Sequence, residues 1–223
     1  MKTLKFLGMP LLMTLLLAFI SFRDGDRETE KIHDAVNVLK DFSNMKESIP
    51  HDLISEYKGI VIIPNMINAG IGIGGKRGRG IALVKNDDGT WSDPVFITLT
   101  GGSIGPQIGV QSVDLVLVFR HKGVLTKVKD GDFTIGGDIS AAAGPVGRST
   151  SANTDYELKA EVYSYSRSRG LFAGISINGS NLAIDKAANH AYYGDNMSPQ
   201  DIFADNQNNT KAVVLLKNTL ASL

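Results

Sequence analysis

Lys76, Arg77 and Arg79 place three cations within four positions, with Gly78 as the spacer. Arg167 and Arg169 repeat the pattern in Ser166-Arg167-Ser168-Arg169-Gly170, and Arg148 ends Gly144-Pro145-Val146-Gly147-Arg148. Ammonium and guanidinium donors on glycine-bearing turns suit the binding of anionic oxygens, phosphate above all. A solvated charged turn is the competing reading of each run. If the fold gathers these turns at one end, the six cations make a patch for phosphorylated head groups.

Other chemistries find less support. Gly70-Ile71-Gly72-Ile73-Gly74-Gly75 fits G-x-G-x-x-G and, with Lys76, most of a P-loop. Both motifs need a helix behind them, because its N-terminus holds the phosphate. Residues 77–84 read instead as a strand, and Arg77 stands where a P-loop needs Ser or Thr, so a glycine-kinked hairpin is expected. His33, His51, His121 and His190 are isolated, without partners at metal-ligand spacing. Ser103, in Gly101-Gly102-Ser103-Ile104-Gly105, loosely resembles a nucleophile elbow one residue short. It has no identifiable base or orienter, and a small residue in a tight sheet is the ordinary role. Asp114 and Asp138 are expected to bond turn amides. No catalytic residue, metal or cofactor is expected.

The elements that must carry these residues follow from hydrophobic period. Ile32, Ala35, Val36, Leu39, Phe42, Met45 and Ile49 recur at helical spacing, so residues 27–48 read as an amphipathic helix ended by Pro50. It is expected to pack on the domain, with a position on a membrane surface as the alternative. Residues 58–64, 70–75, 79–85, 94–100, 103–110 and 113–120 read as strands, with a turn at Asn86-Asp87-Asp88-Gly89. A short helix over 123–129 and strands over 133–143, 161–166 and 171–178 follow. Ser198-Pro199-Gln200-Asp201 is a capped helix start, and Val213, Leu216, Leu220 and Leu223 mark a last helix. Of 24 glycines, 21 lie between Gly59 and Gly179. The expected fold is α+β: one domain with a glycine-rich antiparallel curved sheet or partial barrel flanked by N- and C-terminal helices.

Composition sets further bounds. The 223 residues carry 23 basic and 23 acidic side chains, which argues against a general grip on nucleic acid. There is no cysteine, hence no disulfide, thiolate ligand or cysteine nucleophile. Lys2 and Lys5 precede an uncharged apolar run over residues 6–20, shorter than the roughly 20 residues that span a bilayer. Residues 1–21 therefore read as an export signal and 22–223 as the mature domain.

Several blocks then converge. Lys58-Gly59-Ile60-Val61-Ile62-Ile63-Pro64, the 69–75 glycine run, Trp91-Ser92-Asp93-Pro94-Val95-Phe96-Ile97 and the 101–109 block resemble the SYLF domain, also called the Ysc84 actin-binding domain family. So do the 143–148 block, Tyr165-Ser166-Arg167-Ser168-Arg169-Gly170-Leu171-Phe172-Ala173-Gly174 and Ala188-Asn189-His190-Ala191-Tyr192-Tyr193-Gly194. The resemblance implies a lipid-binding module without established enzymatic activity. It implies phosphoinositide binding in eukaryotic members and actin-filament binding in some fungal ones. With an export signal, the chain looks like the stand-alone bacterial members. The expected function is an exported, periplasmic or envelope-associated module that recognises anionic phospholipid head groups at a membrane surface. Lys76, Arg77, Arg79, Arg148, Arg167 and Arg169 would meet the head groups, and the 27–48 helix or an apolar sheet edge the acyl chains. A structural or protein-interaction module of the envelope is the alternative, a hydrolase using Ser103 a third reading, and actin the less expected partner.

Overall fold

β-Branched runs with glycine between them assemble here into two unusually long strands. The computed structural model describes residues 24–45, 49–126, 132–144, 160–168, 171–172, 175–195, 197–204 and 207–223. The export-signal segment, Arg148 and Arg169 lie outside the described residues, as does the side chain of Ser103. Strand β1 (Gly59–Val84) pairs antiparallel with β2 (Val95–Phe119) from Gly59↔Phe119 to Ala82↔Val95. The turn between them closes as its Asp-Gly sequence predicts. Asn86 N–H donates to the Thr90 carbonyl at 2.8 Å, and the Asp88 carboxylate accepts from Thr90 N–H at 2.9 Å.

Six expected strands thus merge into two. Gly72 (φ +72°) and Gly109 (φ +119°) bend the ribbon while each strand keeps its partner through the bend. Register shifts only at Ile63/Met66 and Ile71/Ile73. The ribbon then folds over on itself, so that Lys85 N–H reaches the Lys58 carbonyl at 2.9 Å. Along the fold line a side chain has no room: a Cβ at Gly80 would lie 2.1 Å from the Ile62 carbonyl oxygen, and one at Gly74 2.0 Å from that of Ala69.

The other edge of β2 takes two strands. β7 (Ser180–Ile184) pairs with residues 97–101 and β5 (Val162–Ser168) with residues 114–119. β3 (Asp132–Ile135) extends β7; β6 (Leu171–Phe172) and the parallel β4 (Ala141–Ala143) extend β5. The result is a curved, nearly closed seven-stranded sheet, antiparallel except at β4. The expected strand over 133–143 breaks at Gly136 (φ +86°), where the Asp138 carboxylate accepts Thr134 N–H at 2.7 Å. The strand expected over 171–178 ends at Phe172; the longer one begins after the Asn178-Gly179 turn, in which Gly179 takes φ +74°.

Both faces of the sheet are covered. Helix α1 (Asp24–Ser43) and helix α6 (Lys211–Ala221) lie on the outer face, burying Ile32, Leu39, Phe42, Val213 and Leu216 against Ile60, Ile62, Ile81, Leu83, Val116 and Val118. Alternate residues Val61, Ile63, Ala82, Val84, Leu115 and Leu117 fill the inner core with Phe133, Leu182 and Phe203. The apolar stripe of α1 is therefore spent on packing and is not available to a membrane. α1 also stops at Ser43, ahead of Pro50, which begins α2 (His51–Glu56) instead. The short α3 (Gly123–Thr126) follows β2. α4 (Lys186–Tyr193) is capped by Asp185, whose carboxylate accepts Ala188 N–H at 3.2 Å. α5 (Pro199–Ala204) starts on the expected box: Asp201 N–H donates to Ser198 Oγ at 3.2 Å and Ser198 N–H to the Asp201 carboxylate at 3.1 Å. Among the described residues no helix is long and apolar enough to cross a membrane.

Candidate functional site

At the bend of the ribbon its apolar pattern loses its cover. Gly70 and Gly74 touch across the bend, and Gly72 between them takes the left-handed conformation that a β-branched residue resists. The two isoleucines in this turn have nowhere to fold back to: Ile71 is 79% exposed and Ile73 78%. Ile67 and Val110, which flank the bend on the two strands, are exposed as well, and so is Leu171 of β6. The hairpin of β5 and β6 meets the ribbon beside Ile67, where Ser168 Oγ donates to the carbonyl of Ser112, the pairing partner of Ile67, at 3.1 Å.

Charge is missing from this region. Residues 64–75 and 99–113 contain no Asp, Glu, Lys or Arg, in a chain of which 21% is charged. Their polar members are Ser, Thr, Asn, Gln and glycine amides. Contiguous exposed apolar side chains on a charge-free projection mark a contact surface, since isolated ones need no explanation but clusters do.

The sequence-expected cations are placed differently from one another. A strand sends successive side chains to opposite faces. Lys76 accordingly turns inward, is 5% exposed, and donates to the Ser176 carbonyl at 2.5 Å. Burial pushes its ammonium below the ordinary lysine value. Arg77 and Arg79 remain on the other face, both exposed. Arg79 Nε sits 3.3 Å from the carboxylate of Asp185 and lines a cleft of about 620 Å³ with Arg27, Lys31 and Phe96. Arg167 is engaged most fully: one guanidinium nitrogen lies 2.6 Å from both the Asp41 and the Asp114 carboxylates. Burial opposes that charge, but the bonds and charges of Asp114 and Asp41 outweigh it and raise the pKa. Asp114 also accepts Asn65 N–H at 3.0 Å, at the bulge where Asn65 takes φ +51°. The three neighbours 76, 77 and 79 therefore share no single face, and Lys76, Arg79 and Arg167 each hold a protein partner.

In place of the expected glycine-kinked hairpin, residues 70–79 stay within β1 as a bend, and no helix follows them as a P-loop would require. Among the described residues no three His, Asp or Glu side chains group as a metal site. Composition flagged the glycine and isoleucine alternation at 70–75 as a strand, not as an exposed tip. The absence of any charge over both arms of the bend was the signal that could have found it.

Comparison with known proteins adds an independent view. The family model described as Ysc84, Las17-binding protein actin regulator, matches residues 100–223. LAS seventeen-binding protein 3 of Saccharomyces cerevisiae is 35% identical over 159 residues, covering 70% of this chain and 34% of that protein. Protein YSC84 of the same yeast is 33% identical over 186 residues, covering 79% and 39%. SH3 domain-containing YSC84-like protein 1 of Homo sapiens is 34% identical over 175 residues, covering 75% and 51%. The chain thus spans between a third and a half of the length of these curated relatives.

Proposed function

We propose, from the premise that the chain belongs to the Ysc84 family, that it is a lipid-binding module which docks on membrane surfaces through the tip of its β1–β2 ribbon. One observation carries this reading: Ile71 and Ile73 stand more than three-quarters exposed at a charge-free bend. Burying such a side chain in an apolar phase is worth about 1.5–3 kcal/mol, so two of them with Ile67 and Val110 flanking them on the ribbon supply a usable binding energy. Arg77 follows Ile73 by four residues, about 13 Å of strand, which is the right order for a cation to sit at head-group level while the tip enters the acyl region. The head-group role extends to Arg148 and Arg169; Lys76, Arg79 and Arg167 are less suited to it because each already holds a partner within the fold. The proposed setting is the cell envelope after export. Co-flotation of the protein with liposomes of mixed zwitterionic and anionic lipid tests the reading. Recovery with the vesicles is expected, and full recovery in the lipid-free fraction under all conditions would remove it.

A second reading has its own support in names: one relative is called LAS seventeen-binding protein 3, and the matching family model is described as Las17-binding protein actin regulator. In that reading the same exposed tip docks on a protein partner. Capture that saturates with a protein fraction and is unchanged by added liposomes would favour it.

A further inference from the structure

The ribbon tip carries an inference about which property of a lipid surface is read; it rests on the lipid-binding function proposed above. We infer that the tip itself recognises loosely packed acyl chains, as exposed on strongly curved or defect-rich membranes, and adds nothing to the recognition of head-group charge. The reasoning starts from what the tip lacks. Attraction to an anionic leaflet needs uncompensated Lys or Arg near the surface, each worth about 1 kcal/mol and only within a Debye length. The two arms of the tip, residues 64–75 and 99–113, have none. Of the described cations singled out in the sequence, Lys76 is turned into the sheet onto the Ser176 carbonyl, Arg79 faces Asp185, and Arg167 is held between Asp41 and Asp114. Arg77 alone faces solvent without a carboxylate within salt-bridge distance among the described residues.

What the tip offers instead is a narrow apolar projection. Ile71 and Ile73 protrude from a bend whose backbone is mostly glycine, and the surrounding polar groups are uncharged Ser, Thr, Asn and Gln. A surface of that kind gains nothing from approaching phosphate. It gains only when its isoleucines leave water, and the work of parting the head groups to admit them falls where lipids are already loosely packed. Interfacial helices show the apolar part of this balance: their binding grows with buried apolar area and depends on curvature and lipid composition. The tip is a two-stranded ribbon, but that apolar part is the same.

The test is sedimentation or flotation of the full protein with four vesicle preparations: small sonicated and large extruded vesicles, each of unsaturated phosphatidylcholine alone or with an added anionic phospholipid, at low and at high salt. The expected result is at least about tenfold stronger partitioning on the small vesicles, with no more than about the fivefold change from anionic lipid or salt that Arg77 alone would give. The Ile71→Ser/Ile73→Ser variant should lose about a hundredfold in partitioning with an unchanged melting temperature, since both side chains are exposed and outside the cores. Binding that appears only with anionic lipid and falls with salt would overturn this inference while leaving lipid binding intact. Curvature-dependent binding that survives the double substitution would also overturn it, by placing the contact elsewhere. Absence of binding to all four preparations would remove the proposed lipid function itself.

Discussion

The base and the tip of one ribbon both carry isoleucine-rich apolar runs and differ in what covers them. At the base, Ile60, Ile62, Ile81 and Leu83 meet helices while Val61, Ile63, Ala82 and Val84 meet the inner core, so every side chain is covered. At the tip, Ile67, Ile71 and Ile73 belong to the same strand and are bare. Apolar pattern alone therefore does not distinguish a core from a contact surface. What distinguishes them is whether another element of the chain reaches that stretch, and at the bend none of the described elements does.

The comparison can be broken most severely at the base. Gly80→Ala sets a methyl group against the Ile62 backbone, 2.1 Å from its oxygen, where no flexible neighbour can yield. A loss of about 4 kcal/mol or more in urea unfolding, or failure to fold, is expected; a loss below about 1 kcal/mol would show that the folded-over ribbon is not held there. Asp93→Ala is next. Its carboxylate is buried, takes Lys217 Nζ at 2.6 Å and accepts Asn208 N–H at 3.1 Å, tying α6 to the residues before β2. Removing it takes away the buried carboxylate that holds both Lys217 and the Asn208 amide, at a cost of about 3 kcal/mol, read in the same experiment.

Lys76→Met should act in the opposite direction and more weakly. Burial lowers the folded-state pKa of this lysine below its unfolded value, so its charge opposes folding at neutral pH. As pH rises from the lowered value towards the ordinary one, the folded protein loses the charge first and the penalty fades. The variant should be about 1 kcal/mol more stable near pH 7, and the advantage should shrink at alkaline pH. A variant less stable at pH 7 would mean that the Ser176 bond outweighs desolvation. The smallest effect belongs to the tip: Ile71→Ser/Ile73→Ser should leave thermal stability within about 0.5 kcal/mol.

Legibility followed the range of the interactions. The Asp-Gly turn at 86–89, the Ser198–Asp201 box and the stripe of α1 could be read because each is closed by neighbours in sequence. The curved sheet was legible from crowded glycines. The length of β1 and β2 was not, because each strand passes its bend only by keeping its pairing with the other, and pairing across the ribbon leaves no local mark. α4 escaped notice since its cap, Asp185, follows directly on a strand. The cation cluster at 76–79 illustrates the same limit. Adjacency suggested one patch, while strand alternation, once the segment is known to be β, separates Lys76 from Arg77 and Arg79.

The chain contains no cysteine, so Ile73→Cys carries a single environment-sensitive fluorophore at the tip, and Val214→Cys carries one on the partly exposed face of α6. On adding small unsaturated vesicles, the label at position 73 should shift to the blue as it enters the acyl region while the label at 214 stays as in water. Vesicle binding with no change at position 73, or with the shift confined to 214, would contradict docking through the ribbon tip.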